Sequence, residues 1–141
     1  MKKILLILVL LIPFQAMAER DYTSGNYWTV TSVETKPGMY DDYISDLKGV
    51  WRKSVEMMKA DGKLLSYRMF SNVYPRAGEP DLFLMIEWKS AGDALDMTDE
   101  EVEAQSKKLF GSLDKGTEAA IKREDLRTIK SQTLLRELSF N

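Results

Sequence analysis

Histidine and cysteine are both absent from the 141-residue chain. Without cysteine there is no disulfide framework, no thiolate metal site and no lipid-modified cysteine. Without histidine there is no histidine-ligated haem, no Ser-His-Asp triad and no histidine–carboxylate iron site. An apolar core must therefore hold the fold, and we predict no cofactor.

Carboxylates are the remaining candidates for a metal site, as adjacent runs at Asp41-Asp42 and Asp99-Glu100-Glu101. Neighbouring side chains on a helix diverge, and both runs lie in predicted first turns, where negative charge favours the helix dipole. We interpret them as helix starts and predict no metal site.

The chain also lacks a large excess of charge of either sign. The chain has 20 basic and 22 acidic residues, a formal net charge of -2, and the two signs alternate in stretches such as KREDLRTIK. No basic stripe indicates a nucleic-acid partner, so we predict none.

A long apolar run occurs at the start of the chain, from Ile4 to Phe14, after two lysines and before Ala16-Met17-Ala18. This layout is typical of a cleaved secretory signal peptide. The run is shorter than the roughly 20 apolar residues that cross a bilayer. We predict a signal peptide at residues 1–18, cleavage after Ala18, a periplasmic or secreted location, and no stable membrane insertion of the remaining single domain, 19–141.

The first half of that domain predicts a strand, a long helix and a second strand. Tyr27–Thr35 is rich in β-branched and aromatic residues, and Lys36-Pro37-Gly38 ends it with a turn. Apolar residues then recur every three or four positions from Tyr40 to Met58, which predicts one helix of about five turns. Asp61-Gly62 ends this helix, and a second strand follows at about Leu64–Tyr74.

The third predicted strand, DLFLMIEW, is apolar on both faces. Leu82, Leu84, Ile86 and Trp88 alternate with Phe83 and Met85. Because the helices of one protomer cover one face, Phe83 and Met85 need a second cover.

The second half predicts a helix and a last strand. The core-facing side of this helix is outlined by Val102, Ser106, Leu109, Phe110, Leu113, Ala120 and Ile121. Thr98 and Glu101 form a capping box before a helix that Gly111 and Gly116 weaken, and LRTIKSQTLLRELSF is the final strand. The resulting order, β-α-β-β-α-β, predicts an α+β fold of the ferredoxin-like kind with an antiparallel sheet.

Three segments carry a family resemblance: YWTVTSVETKPG, MYDDYISDLKGVW and DLFLMIEW. Over residues 26–139 the chain resembles the dimeric α/β-barrel superfamily, which includes antibiotic-biosynthesis monooxygenases. The resemblance implies two protomers packed sheet to sheet, each with a ligand pocket between its helices and sheet. Since Phe83 and Met85 also need a cover, we predict a homodimer.

Aromatic and polar residues near that pocket are the candidate ligand-binding residues. An apolar cleft with a few placed polar groups stacks and orients a small molecule. The alternative is that the aromatic residues only fill the core, which the helical period favours for Tyr43, Trp51 and Trp88. The candidate ligand-binding residues are Tyr40, Trp51, Tyr67, Arg68 and Asn72.

Three functions remain open from the sequence. The preferred one is a homodimer that binds a small hydrophobic or aromatic molecule without chemistry. The second is a cofactor-free monooxygenase, in which Asn72, Trp51 or a tyrosine stabilises a deprotonated phenolic substrate. The third is an interaction module of the cell envelope without a small ligand. Whether the chain is an enzyme stays open.

Overall fold

The computed structural model describes residues 20–141, and the predicted signal peptide at residues 1–18 lies outside the described residues. The described part contains four strands and five helices. In chain order they are β1 (Tyr22–Thr35), α1 (Tyr40–Gly49), α2 (Trp51–Ala60), β2 (Leu64–Ser71), β3 (Leu82–Trp88), α3 (Ala91–Leu95), α4 (Asp99–Phe110), α5 (Leu113–Arg123) and β4 (Arg127–Phe140).

The four strands form one sheet in the order β2-β3-β1-β4, and all three strand pairs are antiparallel. The predicted α+β, ferredoxin-like fold is confirmed, since the first and third strands are central and the second and fourth are the edges. The first predicted helical region consists of α1 and α2, and the second consists of α4 and α5. The short helix α3 lies between β3 and α4.

The predicted single helix from Tyr40 to Met58 is wrong in one respect, because it is divided at Val50. That residue has φ -116° and ψ -64°, although Val50 N still donates to Asp46 O and Ser54 N to Val50 O. Glycine and β-branched valine are weak helix formers, which explains why the helix is irregular at Gly49 and Val50. Trp51, the first residue of α2, packs against both clusters of the core.

The core lies between the sheet and the helix pair α1–α2. One cluster joins Tyr43 and Leu47 of α1 to the sheet, and the other joins Val55 and Met58 of α2 to it. The strand residues of these clusters are Val33, Leu64, Leu82, Leu84 and Trp88. The helix-facing side of DLFLMIEW is thus buried, except that Ile86 is only partly buried.

The second helical region begins as the sequence indicates. Thr98 accepts a hydrogen bond from Glu101 N, and the Glu101 side chain accepts one from Thr98 N, which completes the capping box. Gly111, with φ 89°, ends α4 in the left-handed region that glycine adopts readily.

The predicted buried face of this second region is wrong. Val102, Leu113 and Ile121 are 40%, 45% and 66% exposed. The helices α4 and α5 contact each other, and α4 contacts α2, so they lie beside the first helix pair instead of across the sheet. An ion pair from Arg123 to Asp46, 2.5 Å, joins the end of α5 to α1.

β1 and β4 extend beyond the rest of the sheet. β3 pairs with β1 as far as Tyr27, whereas Tyr22, Thr23 and Ser24 pair with β4 alone. At the end of β4 the side chain of Phe140 is 93% exposed. No helix in the described part of the chain combines the length and apolar character needed to cross a bilayer.

Candidate functional site

A cleft of about 320 Å³ lies where the helix pair α1–α2 meets the edge strand β2. Its volume is at the lower end of the range for small-molecule sites. Its wall is apolar apart from three cationic residues. The lining residues are Ile44, Leu47, Lys48, Trp51, Arg52, Tyr67, Arg68 and Met69.

Two aromatic rings form the side wall of the cleft. The centroids of Trp51 and Tyr67 are 5.4 Å apart and their planes make an angle of 87°, an edge-to-face contact. Edge-to-face contact is one of the arrangements that aromatic pairs prefer, so the two rings stabilise each other at this position. The two residues come from the first turn of α2 and the middle of β2, so the fold brings them together.

Hydrogen bonds join the helices to β2 on both sides of this contact. The Tyr67 hydroxyl donates to Glu56 on α2. The Tyr40 hydroxyl, at the start of α1, donates to Ser71 Oγ at the end of β2, 3.1 Å away. Both bonds bridge a helix and the edge strand, so they limit how far the cleft can open.

The hydrogen bond to Glu56 also changes the acidity of Tyr67. It raises the pKa of the Tyr67 hydroxyl above its ordinary value, with burial and the Glu56 charge acting in the same direction. The Arg52 guanidinium opposes this shift and lowers the pKa. Tyr67 is therefore a neutral hydroxyl at physiological pH, suited to hydrogen bonding and not to acting as a base.

Arg68 borders the cleft, but its charged group lies elsewhere. Its guanidinium carbon is 5.6 Å from the ring centroid of Trp28, and Arg68 pairs with Met85, whose side chain lies on the sheet face away from the helices. Opposite residues of antiparallel strands share a face. Arg68 is thus placed at the edge between the cleft and the helix-free face.

Asn72 lies outside the cleft, in the turn after β2. Its side-chain nitrogen donates to Pro80 O at 3.2 Å, and its oxygen accepts from Tyr74 N at 3.2 Å. Its backbone N–H donates to Asp81 O. These bonds give Asn72 a role in the β2–β3 connection, away from Trp51 and Tyr67.

Sequence reasoning missed Lys48 and Arg52. Both line the cleft, on the last turn of α1 and the first turn of α2. Their spacing of four residues, flanking Trp51, was the available signal, since residues four apart share a helix face. The sequence of β2 also does not alternate regularly, because a register shift between Leu64 and Ser66 interrupts the alternation of its side chains.

The helix-free face of the sheet is a second feature of interest. Its rows follow from the strand register: Arg68, Met85 and Val30 lie side by side, as do Phe70, Phe83 and Ser32. Phe70 is 48% exposed, and Phe83 and Met85 are only partly buried. The predicted outward position of Phe83 and Met85 agrees with this register.

A carboxylate is fixed on the same face. Glu87 accepts hydrogen bonds from Ser66 Oγ at 2.5 Å and from Asn26 Nδ2 at 2.9 Å. These two bonds, Ser66 first, together with the Arg68 charge, lower the pKa of Glu87 below its ordinary value, while burial opposes them. Glu87 is therefore an ionised, oriented acceptor.

A smaller cavity of about 150 Å³ lies between α2 and α4. Met57, Met58 and Met97 contribute to its lining, and Lys63 forms an ion pair with Glu101 at its edge. Glu101 also completes the capping box of α4. The cavity is too small for a drug-sized ligand. Two other cavities, of about 420 and 570 Å³, are larger than the cleft but have no aromatic residue in their lining, so the cleft at Trp51 and Tyr67 is the better candidate for an aromatic ligand.

Comparisons with known proteins bear on the fold. No family model matches the chain, and no curated protein matches it. Among solved structures, a NIPSNAP family protein of unknown function from Agrobacterium tumefaciens aligns with a TM-score of 0.53 and 14% identity, over 83% of this chain and 92% of that one. At this identity the likeness shows the fold alone, the ferredoxin-like α+β class that the sheet order defines.

Proposed function

We propose that this chain is an exported homodimer that binds a small hydrophobic or aromatic molecule in the cleft between α1–α2 and β2, without chemistry on it. The observation that carries the proposal is the open cleft of about 320 Å³ beside the edge-to-face pair of Trp51 and Tyr67. Aromatic walls with few polar groups are typical of sites that stack a flat ligand.

Two further observations favour binding over catalysis. The cofactor-free monooxygenase needs donors that converge on one substrate oxygen. Asn72 is engaged with Pro80 and Tyr74, and the Arg68 guanidinium lies over Trp28. Trp51 and Tyr67 do line the cleft, but the Tyr67 hydroxyl already donates to Glu56. The donors predicted for the monooxygenase therefore do not converge on one point.

The homodimer rests on the helix-free face of the sheet. Phe70, Phe83 and Met85 lie there without a covering helix in the described part of the chain. Apolar sheet faces are stable when a second layer covers them. A second copy of the same face provides that layer with two-fold symmetry. Export to the periplasm or beyond is proposed from the leader at residues 1–18.

Native mass spectrometry tests the proposal. The protein is purified from its own host and measured first under native and then under denaturing conditions. We expect a dimer mass with an extra component that leaves on denaturation. A Trp51→Ala variant is expected to lose that component and keep the dimer, because Trp51 lies in the cleft and not on the helix-free face.

A Tyr74→Ala variant is the matched control. Tyr74 is an aromatic residue that is 89% exposed and does not line the cleft, so its loss is expected to leave the extra component in place. An extra component that survives in Trp51→Ala places the ligand elsewhere. A monomer without added mass contradicts the dimer and the bound ligand together.

A further inference from the structure

We infer that the ligand is an anion, namely a compact aromatic carboxylate; this inference rests on the proposed function and specifies its ligand class. The charges at the cleft indicate this ligand class. Lys48, Arg52 and Arg68 all line it, and no aspartate or glutamate among the described residues does. An apolar wall with cations at its edge fits a molecule that has an aromatic body and one negative group.

Lys48 and Arg52 are the two cationic residues whose charged groups can meet a ligand, and Arg52 also lies beside the Tyr67 hydroxyl. Within residues 20–141, neither Lys48 nor Arg52 takes part in a salt bridge. Glu56, one turn after Arg52, accepts the hydrogen bond from Tyr67 and does not line the cleft. Like charges four residues apart on a helix repel one another, so an anion held between Lys48 and Arg52 relieves that repulsion.

This positive edge is a local feature of the molecule. The whole chain carries a formal net charge of -2. The charged groups of Lys48 and Arg52 give the cleft edge a sign opposite to that of the acidic protein as a whole, and such a site concentrates anions from solution. The planar guanidinium of Arg52 matches a carboxylate in shape, and Lys48 supplies a second donor.

The volume limits the ligand body. About 320 Å³ at the lower end of small-molecule sites accommodates one or two fused rings between Trp51, Tyr67 and the apolar side chains of Ile44 and Met69. We therefore choose 2-naphthoate as the probe. 2-Naphthamide is the neutral molecule of the same shape, and 2-naphthylmethylammonium is the cationic one.

The test is a titration of the ¹⁵N-labelled protein, purified from its host, with each of the three probes by ¹H–¹⁵N NMR. The indole N–H signal of Trp51, assigned with Trp51→Phe, reports occupation of the cleft. We expect 2-naphthoate to bind about fivefold more tightly than 2-naphthamide, since each exposed charge contact contributes up to about 1 kcal/mol. We expect 2-naphthylmethylammonium to bind least.

Charge variants locate the effect. In Lys48→Gln with Arg52→Gln, the preference for 2-naphthoate is expected to disappear while 2-naphthamide still shifts the Trp51 signal. Lys36→Gln with Lys59→Gln removes the same charge from exposed positions outside the cleft and is expected to keep the preference. This control separates contacts in the cleft from a change in net charge.

Three results overturn the inference in distinguishable ways. Equal affinity for 2-naphthoate and 2-naphthamide, with shifts at Trp51 in both, contradicts the anionic ligand and leaves the proposed aromatic cleft standing. A preference that survives in Lys48→Gln with Arg52→Gln contradicts the role of these two residues in holding the anion, and it also leaves the proposed aromatic cleft standing. A Trp51 signal that none of the three probes moves at millimolar concentration contradicts the proposed function as well.

Discussion

At the scale of single residues, the hydroxyl of Tyr67 connects the cleft to α2 through Glu56. Glu56→Gln removes the acceptor charge that holds the pKa of Tyr67 above its ordinary value. We expect Tyr67 to ionise at lower pH in this variant. The measurement is a pH titration followed by NMR of ¹³Cζ-labelled tyrosine, with the Tyr67 signal assigned by Tyr67→Phe.

The same shift has a consequence for stability. A tyrosine whose pKa is raised on folding contributes stability that is complete below its unfolded pKa and is lost as pH rises through the folded pKa. The wild-type protein is thus expected to lose part of its stability at alkaline pH, and Glu56→Gln is expected to lose less of it there. An unchanged Tyr67 titration in Glu56→Gln contradicts the proposed hydrogen bond.

Glu87 gives the opposite dependence on pH. Ser66 and Asn26 lower its pKa in the folded protein, so its contribution is present above the unfolded pKa and is lost as pH falls through the folded pKa. We expect Ser66→Ala to raise the pKa of Glu87 and to make the protein less sensitive to acid between those two values. NMR titration of the glutamate carboxyl carbons measures the pKa, and urea unfolding at several pH values measures the stability.

A matched change checks the origin of the Glu87 effect. Ser54→Ala removes a hydroxyl that bonds to Gln105 and has no contact with Glu87 among the described hydrogen bonds. It is expected to leave the pKa of Glu87 unchanged. If Ser66→Ala also leaves that pKa unchanged, the Ser66 hydroxyl does not hold the carboxylate.

At the scale of elements, the capping box of α4 is expected to contribute to the stability of the protein. Thr98→Ala removes the acceptor for Glu101 N and is expected to cost about 1 kcal/mol of unfolding free energy. Thermal unfolding measures the change. Thr117→Ala serves as control, because among the described hydrogen bonds its hydroxyl donates to Leu113 O within α5 and caps no helix. Equal effects of the two changes would argue against a capping role for Thr98.

Packing of α2 on the sheet is tested at Val55, which has no exposed surface. Val55→Ala leaves a small cavity between α2, Leu64 and Trp88 and is expected to cost about 2 kcal/mol. The same change at Val73, 75% exposed in the β2–β3 loop, is expected to cost far less. Urea unfolding of both variants decides whether the cluster is the core that the burial indicates.

The elements also show how far the sequence predicts the structure. Its apolar period identified Tyr43, Leu47 and Val55 correctly as a buried helix face, because the period reports packing against the sheet. It missed the break at Val50, which is a local departure in φ and ψ that leaves the hydrogen bonds of the helix in place. It misjudged Val102 and Ile121, since an amphipathic pattern does not tell which surface a helix packs against.

The candidate site was predictable only in part, for a related reason. Trp51 and Tyr67 come together because α2 and β2 are adjacent in the fold. The bonds of Asn72 depend on the geometry of the β2–β3 connection, which no periodic pattern encodes. The direction of Arg68 depends on the register shift in β2. Lys48 and Arg52 could not be predicted as site residues, because the sequence does not show which helix face borders the edge strand.

At the scale of the whole molecule, the proposed homodimer rests on the helix-free face of the sheet. Met85→Lys places a charge at the centre of that face, between Arg68 and Val30. We expect a folded monomer in place of a dimer, because a charge buried between two sheets without a partner is strongly unfavourable. Size-exclusion chromatography with light scattering gives the mass, and circular dichroism checks the fold.

Leu95→Lys is the control for this change. Leu95 is 66% exposed on α3 and is not part of the sheet, so the same charge there is expected to leave the dimer intact. A wild-type protein that is monomeric at micromolar concentration would contradict the homodimer before any variant is made.

The central claim is that the cleft beside Trp51 and Tyr67 holds a small molecule. A crystal structure of the protein purified from its own host tests it most directly. The account predicts electron density for an aromatic group against Trp51, with a negative group near Lys48 and Arg52. A cleft closed by its own side chains, with Trp51 packed directly against Met69 and no room for a ligand, would contradict it.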